Sequence, residues 1–148
     1  MAYPDDGCGG TMRFRDDNHV VHTETIRAGD TEFEIVVRFG SMRIPYGSQT
    51  FNGKQGWFCA YIVMDDSDFD RISGKLTFNG SDYPELDVPG GTSFFNKVSP
   101  FDKGPDDGST VIGWDYNHGE PWEKDATLES VLDDARKAVR CLSDLFHE

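Results

Sequence analysis

The sequence predicts an α+β fold, a mostly antiparallel sheet of about five to six strands with a C-terminal amphipathic helix packed on one face. Three observations lead there. Residues 56–64, Gly-Trp-Phe-Cys-Ala-Tyr-Ile-Val-Met, form an apolar run rich in aromatic and β-branched side chains, the pattern of a strand buried on both faces. Two partly alternating runs, His19 to Ile26 and Glu32 to Phe39, flank the short connector Arg27-Ala28-Gly29-Asp30, as a β-hairpin requires. Near the C-terminus, Leu128, Val131, Leu132, Ala135, Ala138, Val139, Leu142, Leu145 and Phe146 recur at helical spacing.

Taken in order, residues 1–10 are turn-rich and read as a flexible arm. After the hairpin, residues 40–55 carry Gly, Ser, Pro and Asn with little periodicity and read as a long loop. The central strand over 56–64 ends at the acidic run Asp65 to Asp70, read as a solvated loop, and a short strand is expected at Gly74 to Phe78. Residues 79–108 hold four of the seven prolines and read as a long irregular connection, where binding residues often sit. Thr110 to Asp115 reads as a further buried strand. The closing helix spans 126–146, with Asp125 or Thr127 as its N-cap and Glu129 in its first turn. No repeat or low-complexity tract interrupts the chain, so 1–148 reads as one domain.

Composition narrows the function classes. The 148 residues carry 27 acids against 14 Lys and Arg, a net charge of −13. Such a chain repels phosphate backbones, which excludes a nonspecific nucleic-acid grip. No apolar run is long enough to span a bilayer, so no membrane partner is expected. Aspartates dominate the acids, in clusters such as Asp16-Asp17, Asp106-Asp107 and Asp133-Asp134. That composition resembles proteins of halophilic archaea and their viruses, in which strong salt screens self-repulsion. Three cysteines without a close pair, Cys8, Cys59 and Cys141, point to a reducing, cytoplasmic setting inside a host cell, with Cys59 and Cys141 as small core residues.

Few residues carry chemistry. Asp115 and His118 leave the last strand three residues apart, and a carboxylate beside an imidazole can orient it or share a metal with it. Trp114, just before them, is a candidate floor for a ligand. In Val88-Pro89-Gly90-Gly91-Thr92-Ser93-Phe94, two glycines let a backbone approach a ligand closely, which makes Gly90, Gly91, Thr92 and Ser93 candidate binding residues. The Gly-Lys-Ser/Thr ending of a phosphate loop is absent. Asp66, Asp68 and Asp70 begin like a calcium loop, yet Arg71 and Thr77 stand where Gly and Glu are required, so an EF-hand is excluded. His19 and His22, three apart on a strand, should face opposite ways. No serine or cysteine nucleophile motif appears.

Four segments together resemble a family of small uncharacterised proteins of tailed phages and proviruses. Its pattern is an aromatic strand, then Val-His-Gly-Gly-Leu-Thr-aromatic, then Ile-Gly-Phe-Asp-x-x-His, then a closing helix. Gly56 to Val63, Val88 to Phe94, Ile112 to His118 and Leu128 to Leu142 are the matching stretches. Pro89 replaces the family's His, Thr92-Ser93 its Leu-Thr, and Trp114 its Phe. The resemblance implies a viral or proviral accessory protein and carries over Gly90, Gly91, Asp115 and His118. The function expected is a non-enzymatic binding module taking a host protein or a small nucleotide-like ligand, as an antagonist of host defences. The alternatives are a small metal-assisted hydrolase and a virion or scaffold component. The hydrolase would use Asp115 and His118 with a divalent metal, completed by Glu120 or an acid of 65–70. No other cofactor is implied.

Overall fold

The computed structural model describes residues 15–42, 46–96 and 108–147; the arm expected over 1–10 lies outside them. Strands β1 (Arg15–Ala28) and β2 (Thr31–Met42) form the expected hairpin, with Ala28 opposite Thr31 across Gly29-Asp30. The pairing skips one residue between Val20 and His22, a β-bulge. That extra residue overturns the expectation for the two histidines. The register sets His19 opposite Phe39 and His22 opposite Val37, and both partners belong to the same core, so the histidines share a face.

The expected loop over 40–55 contains a strand, β3 (Gln49–Phe51), joined to β4 (Lys54–Asp65) by Asn52-Gly53. Asn52 and Gly53 have φ of 51° and 77°, the left-handed pair that a two-residue I′ hairpin turn needs. Strand β4 is the middle of the sheet and is buried without a break from Gly56 to Met64. It pairs antiparallel with β2 on one side and with the strand over Ser109–Asp115 on the other. Its side chains alternate between two cores. Phe58, Ala60, Ile62 and Met64 face the main core, while Trp57, Cys59, Tyr61 and Val63 join Val36, Phe94 and Val111 on the far side.

The acidic stretch after β4 is a helix, α1 (Asp66–Ile72), where a loop is expected. Phe69 and Ile72, three residues apart, are buried on one side of it, and Asp66 and Asp68 lie in its first turn. Carboxylates there complement the positive end of the helix, and Thr110 Oγ1 donates to Asp66 Oδ1 at 2.5 Å. The strand expected at Gly74 to Phe78 is absent. A 3-10 turn at Ser73–Lys75 and a single bridge between Phe78 and Pro84 take its place. A short strand instead forms later, β5 (Phe94–Asn96), beside β6 (Ser109–Asp115). The sheet thus has six strands in the order β1-β2-β4-β6-β5, with β3 on β4.

Helix α2 (Leu128–Leu145) closes the main core as its periodicity predicts, burying Val131, Leu132, Ala135, Ala138, Val139 and Leu142. Thr127 is the N-cap. Its hydroxyl accepts the Ser130 N–H at 3.1 Å, and Ser130 Oγ accepts the Thr127 N–H at 2.8 Å. Arg136 ties the helix to β1 through a two-pronged contact with Glu24, at 2.9 and 2.8 Å. His22 Nε2 lies 2.9 Å from the same carboxylate. Chiefly through the Arg136 hydrogen bonds, Glu24 is held down at about 2. Two cysteine expectations change. Cys141 falls at the flank of the apolar stripe and is exposed as a free thiol, and Cys59, fully buried, is disulfide-bonded.

Candidate functional site

Strand β6 ends where β3 begins along the same edge of β4, since Asp115 pairs with Cys59 and Gln49 with Gly56. The amide of buried Gln49 fills the gap. Its Oε1 accepts the Phe58 N–H at 2.9 Å and its Nε2 donates to the Tyr116 carbonyl at 3.1 Å, while Tyr116 N–H bonds Phe58 O at 3.0 Å. A side chain therefore continues the ladder and fixes the direction in which the chain leaves the sheet.

Beyond Tyr116 the chain turns around Glu123. Glu123 is 1% exposed, and its carboxylate accepts the His118 N–H at 2.8 and 2.7 Å and the Glu120 N–H at 3.1 Å. The 3-10 turn Pro121–Asp125 carries it, with Pro at the first turn and the Glu120 side chain accepting in return from the Glu123 backbone. A buried carboxylate satisfied by three donor contacts holds this loop rigidly. His118 is thereby folded back so that its Nε2 lies 2.7 Å from Asp115 Oδ1 and 3.1 Å from the Asp115 carbonyl oxygen.

The glycine loop meets this ring. Val88-Pro89-Gly90-Gly91 is a tight turn closed by Gly91 N–H to Val88 O at 3.0 Å, with Gly90 at φ 76°, the sequence signature of a type II turn. A Cβ on Gly90 would stand 2.7 Å from both Cδ2 and Nε2 of His118. Only a glycine lets the two segments touch.

Among the expected site residues, Gly90, Asp115 and His118 are brought together, and Gly91 adjoins them. Its N–H closes the turn, so that donor is spent and cannot cradle an anion. Thr92 is turned inward, donating to Pro84 O at 2.7 Å. The Ser93 N–H bonds Gly113 O at 2.9 Å, and its hydroxyl is buried. Trp114 does not join the site. It alternates with Asp115, so it points into the main core, where its Nε1 donates to Tyr116 Oη at 3.1 Å and Tyr116 Oη donates to Asp134 Oδ2 at 2.8 Å. Burial raises Tyr116 beyond the usual tyrosine range and raises Asp134 as well.

No protein-family model, curated protein or solved structure matches the chain. Its site is therefore read from its own residues. Among the described residues no group of three His, Cys, Asp or Glu side chains is placed to hold a metal ion. Glu120 caps the 3-10 turn, and the acids of 65–70 lie on or beside α1 at the opposite end of β4. Among the described residues no helix is long and apolar enough to cross a membrane.

Two aromatic residues at this end are exposed. Tyr46 is 51% exposed and stands edge-on to Trp57, and Trp122 is 41% exposed on the turn that Glu123 anchors. The signal for the turn was present in Glu120-Pro121-Trp122-Glu123, two acids at capping-box spacing around a proline. A groove of about 470 Å³ lies elsewhere, between α2 and residues 75–87, floored by Leu76, Leu86, Leu142 and Leu145. None of the candidate site residues lines it.

Proposed function

We propose that this chain is a non-enzymatic binding module, an accessory protein of a virus or provirus that engages a host protein through the sheet end formed by Gly90, His118 and Trp122. The contact of Gly90 with the His118 ring carries the reading, because it joins two segments far apart in sequence into one surface. Exposed Tyr46 and Trp122 at that end are the residue types that anchor protein interfaces. The −13 charge favours a basic partner. A nucleotide-like ligand is less well served. The Gly91 N–H is spent inside its turn, and the Asp115 carboxylate lies 2.7 Å from His118 Nε2, so a phosphate would meet like charge there.

The Asp115–His118 pair is the observation that favours the second reading, a metal-assisted hydrolase. The odd cysteine count supports action inside a host cell, and the Cys59 disulfide speaks against it; a thiol count on protein purified without reductant separates the two.

Thermal melts in molar salt test the function. A ligand at 100 times its Kd stabilises by about 2.7 kcal/mol. A divalent-metal shift that disappears in His118→Ala would replace the binding module by the hydrolase, and a nucleotide shift would replace the host protein by a small molecule. Binding to a protein from a halophilic archaeal lysate, retained by the native chain and lost by His118→Ala and Trp122→Ala, is the result expected.

A further inference from the structure

We infer that the outer edge of β1, from His22 to Ala28, takes up an extended peptide segment of a partner protein as an additional strand. The segment would carry apolar side chains on one face and, on that same face, an acidic side chain for Arg140. This site is separate from the one proposed above. Ile26 and Ala28 pair with Phe33 and Thr31, at the end of the sheet where β4 runs out to Asp65, and Gly56 and Asp115 lie toward the other end.

The edge is open. Strand β1 is the first in the sheet order and pairs only with β2, so every second residue turns its N–H and C=O away from any partner. Among the described residues no backbone group outside β2 bonds to His22–Ala28. Exposed edges are usually blunted by Lys, Pro or a bulge. Here the bulge lies before His22, the register then runs unbroken to Ala28, and this stretch holds neither Lys nor Pro.

Beside that edge lies a place for side chains. Helix α2 sits over β2 and β4, which leaves a groove of about 430 Å³ between its flank and β1. Ile26, Ala28 and Val139 supply its apolar surface, and Arg140 and Asp144 stand on its helix side. A strand laid along β1 would turn alternate side chains toward this groove, the arrangement by which edge pairing gives affinity and pockets give specificity.

Charge names the occupant. Three cations follow one another along this part of α2. Arg136 is bound to Glu24, and Lys137 lies 3.1 Å from Asp87. Arg140 is exposed, and among the described residues no carboxylate pairs with it, Asp144 included. An unpaired guanidinium above an apolar groove fits a carboxylate. A second copy of this chain serves less well, because Glu24 is the one acid within His22–Ala28 and Arg136 already holds it.

Peptide selection on the whole protein tests this. Random heptapeptides displayed on phage are panned against the native chain, and the enriched sequences are synthesised and titrated by fluorescence anisotropy. They should alternate, with apolar residues at every second position and Asp or Glu in that same set. Arg140→Glu should weaken binding by about tenfold or more, and His118→Ala and Trp122→Ala should leave it unchanged. Backbone N-methylation at alternate residues separates edge pairing from simple side-chain contact: methyls on one set of amides should abolish binding, and methyls on the other set should spare it. Enrichment of no sequence, or of sequences without the alternation, overturns the inference. So does full affinity in Arg140→Glu, or equal binding by the two methylated sets. Loss of binding in His118→Ala and Trp122→Ala with Arg140→Glu unaffected would place the peptide at the other end of the sheet, overturning this site and not the binding module. A dimer of the free chain that peptide dissociates would make a second copy the occupant and overturn it equally.

Discussion

Replacing Gly90 by Ala tests the joint between the two loops, and Gly91→Ala is its natural control. Both glycines have nearly the same left-handed backbone, φ 76° and 77°. An alanine there costs about 1–2 kcal/mol at either position. Only Gly90 has a neighbour. Its new Cβ would lie 2.7 Å from two His118 ring atoms, while one on Gly91 would meet nothing within 4 Å. Relieving that overlap requires the ring to retreat by several tenths of an ångström from the 2.7 Å contact with Asp115, a further ~1–3 kcal/mol of overpacking. At roughly 4 °C per kcal/mol for a chain of this length, Gly91→Ala should lower Tm by roughly 4–8 °C and Gly90→Ala by roughly 8–20 °C. The melts are read beside the His118 ring resonances, which should move in Gly90→Ala and stay in place in Gly91→Ala. Equal losses of Tm with unmoved His118 signals would refute the claim that Gly90 seats the histidine.

Other perturbations probe the scaffold. Leu132→Ala, at a position 2% exposed under α2, should cost about 2–5 kcal/mol in chemical denaturation through the cavity it leaves, and a near-neutral effect would mean that α2 does not close the core. Glu24 is held at about 2 against an ordinary 4.5, so its contribution is complete above 4.5 and fades as pH falls from there toward 2. Glu24→Gln should therefore destabilise by about 1–2 kcal/mol at neutral pH, with the gap to the native chain closing through that acid window. Asp134 has the opposite sign. Burial raises its carboxyl, so the native state holds the proton more tightly than the unfolded chain, and stability falls as pH climbs past the ordinary value of 3.8. Asp134→Asn, still able to accept from Tyr116, should melt higher at pH 7 and show a flatter pH profile.

The main architecture is written locally. The unbroken apolar run of β4, the alternation in β1 and β2 and the 3.6-residue stripe of α2 each state their element without tertiary help, because burial on two faces, one face or one stripe leaves a distinct period. What escaped depends on context. Asp66 and Asp68 look like solvated loop until Phe69 and Ile72 find a core to fill, after which the same acids favour a helix start. The bulge at Val21 adds one residue to one strand, invisible in a single sequence, and it alone decides which way His22 points. The Asn52-Gly53 turn was legible, and its short strand β3 was masked by the surrounding Gly, Ser and Pro. At the site, the Asp-x-x-His spacing and the double glycine were readable as candidates, while their contact was not, since nothing local links residue 90 to residue 118. Trp114 was misplaced for a plain reason. It precedes Asp115 by one residue, and a strand sends consecutive side chains to opposite faces.

The central claim is that one surface, built around His118 and Trp122, binds a protein partner. Titration calorimetry of the captured partner against the native chain, His118→Ala and Trp122→Ala, in molar salt, tests it most directly. Each variant should melt as the native chain does and bind at least tenfold more weakly, a loss of about 1.4 kcal/mol or more. Unchanged affinity in both variants would place the interface elsewhere, and unfolding of either would show that its side chain holds the fold instead of a partner.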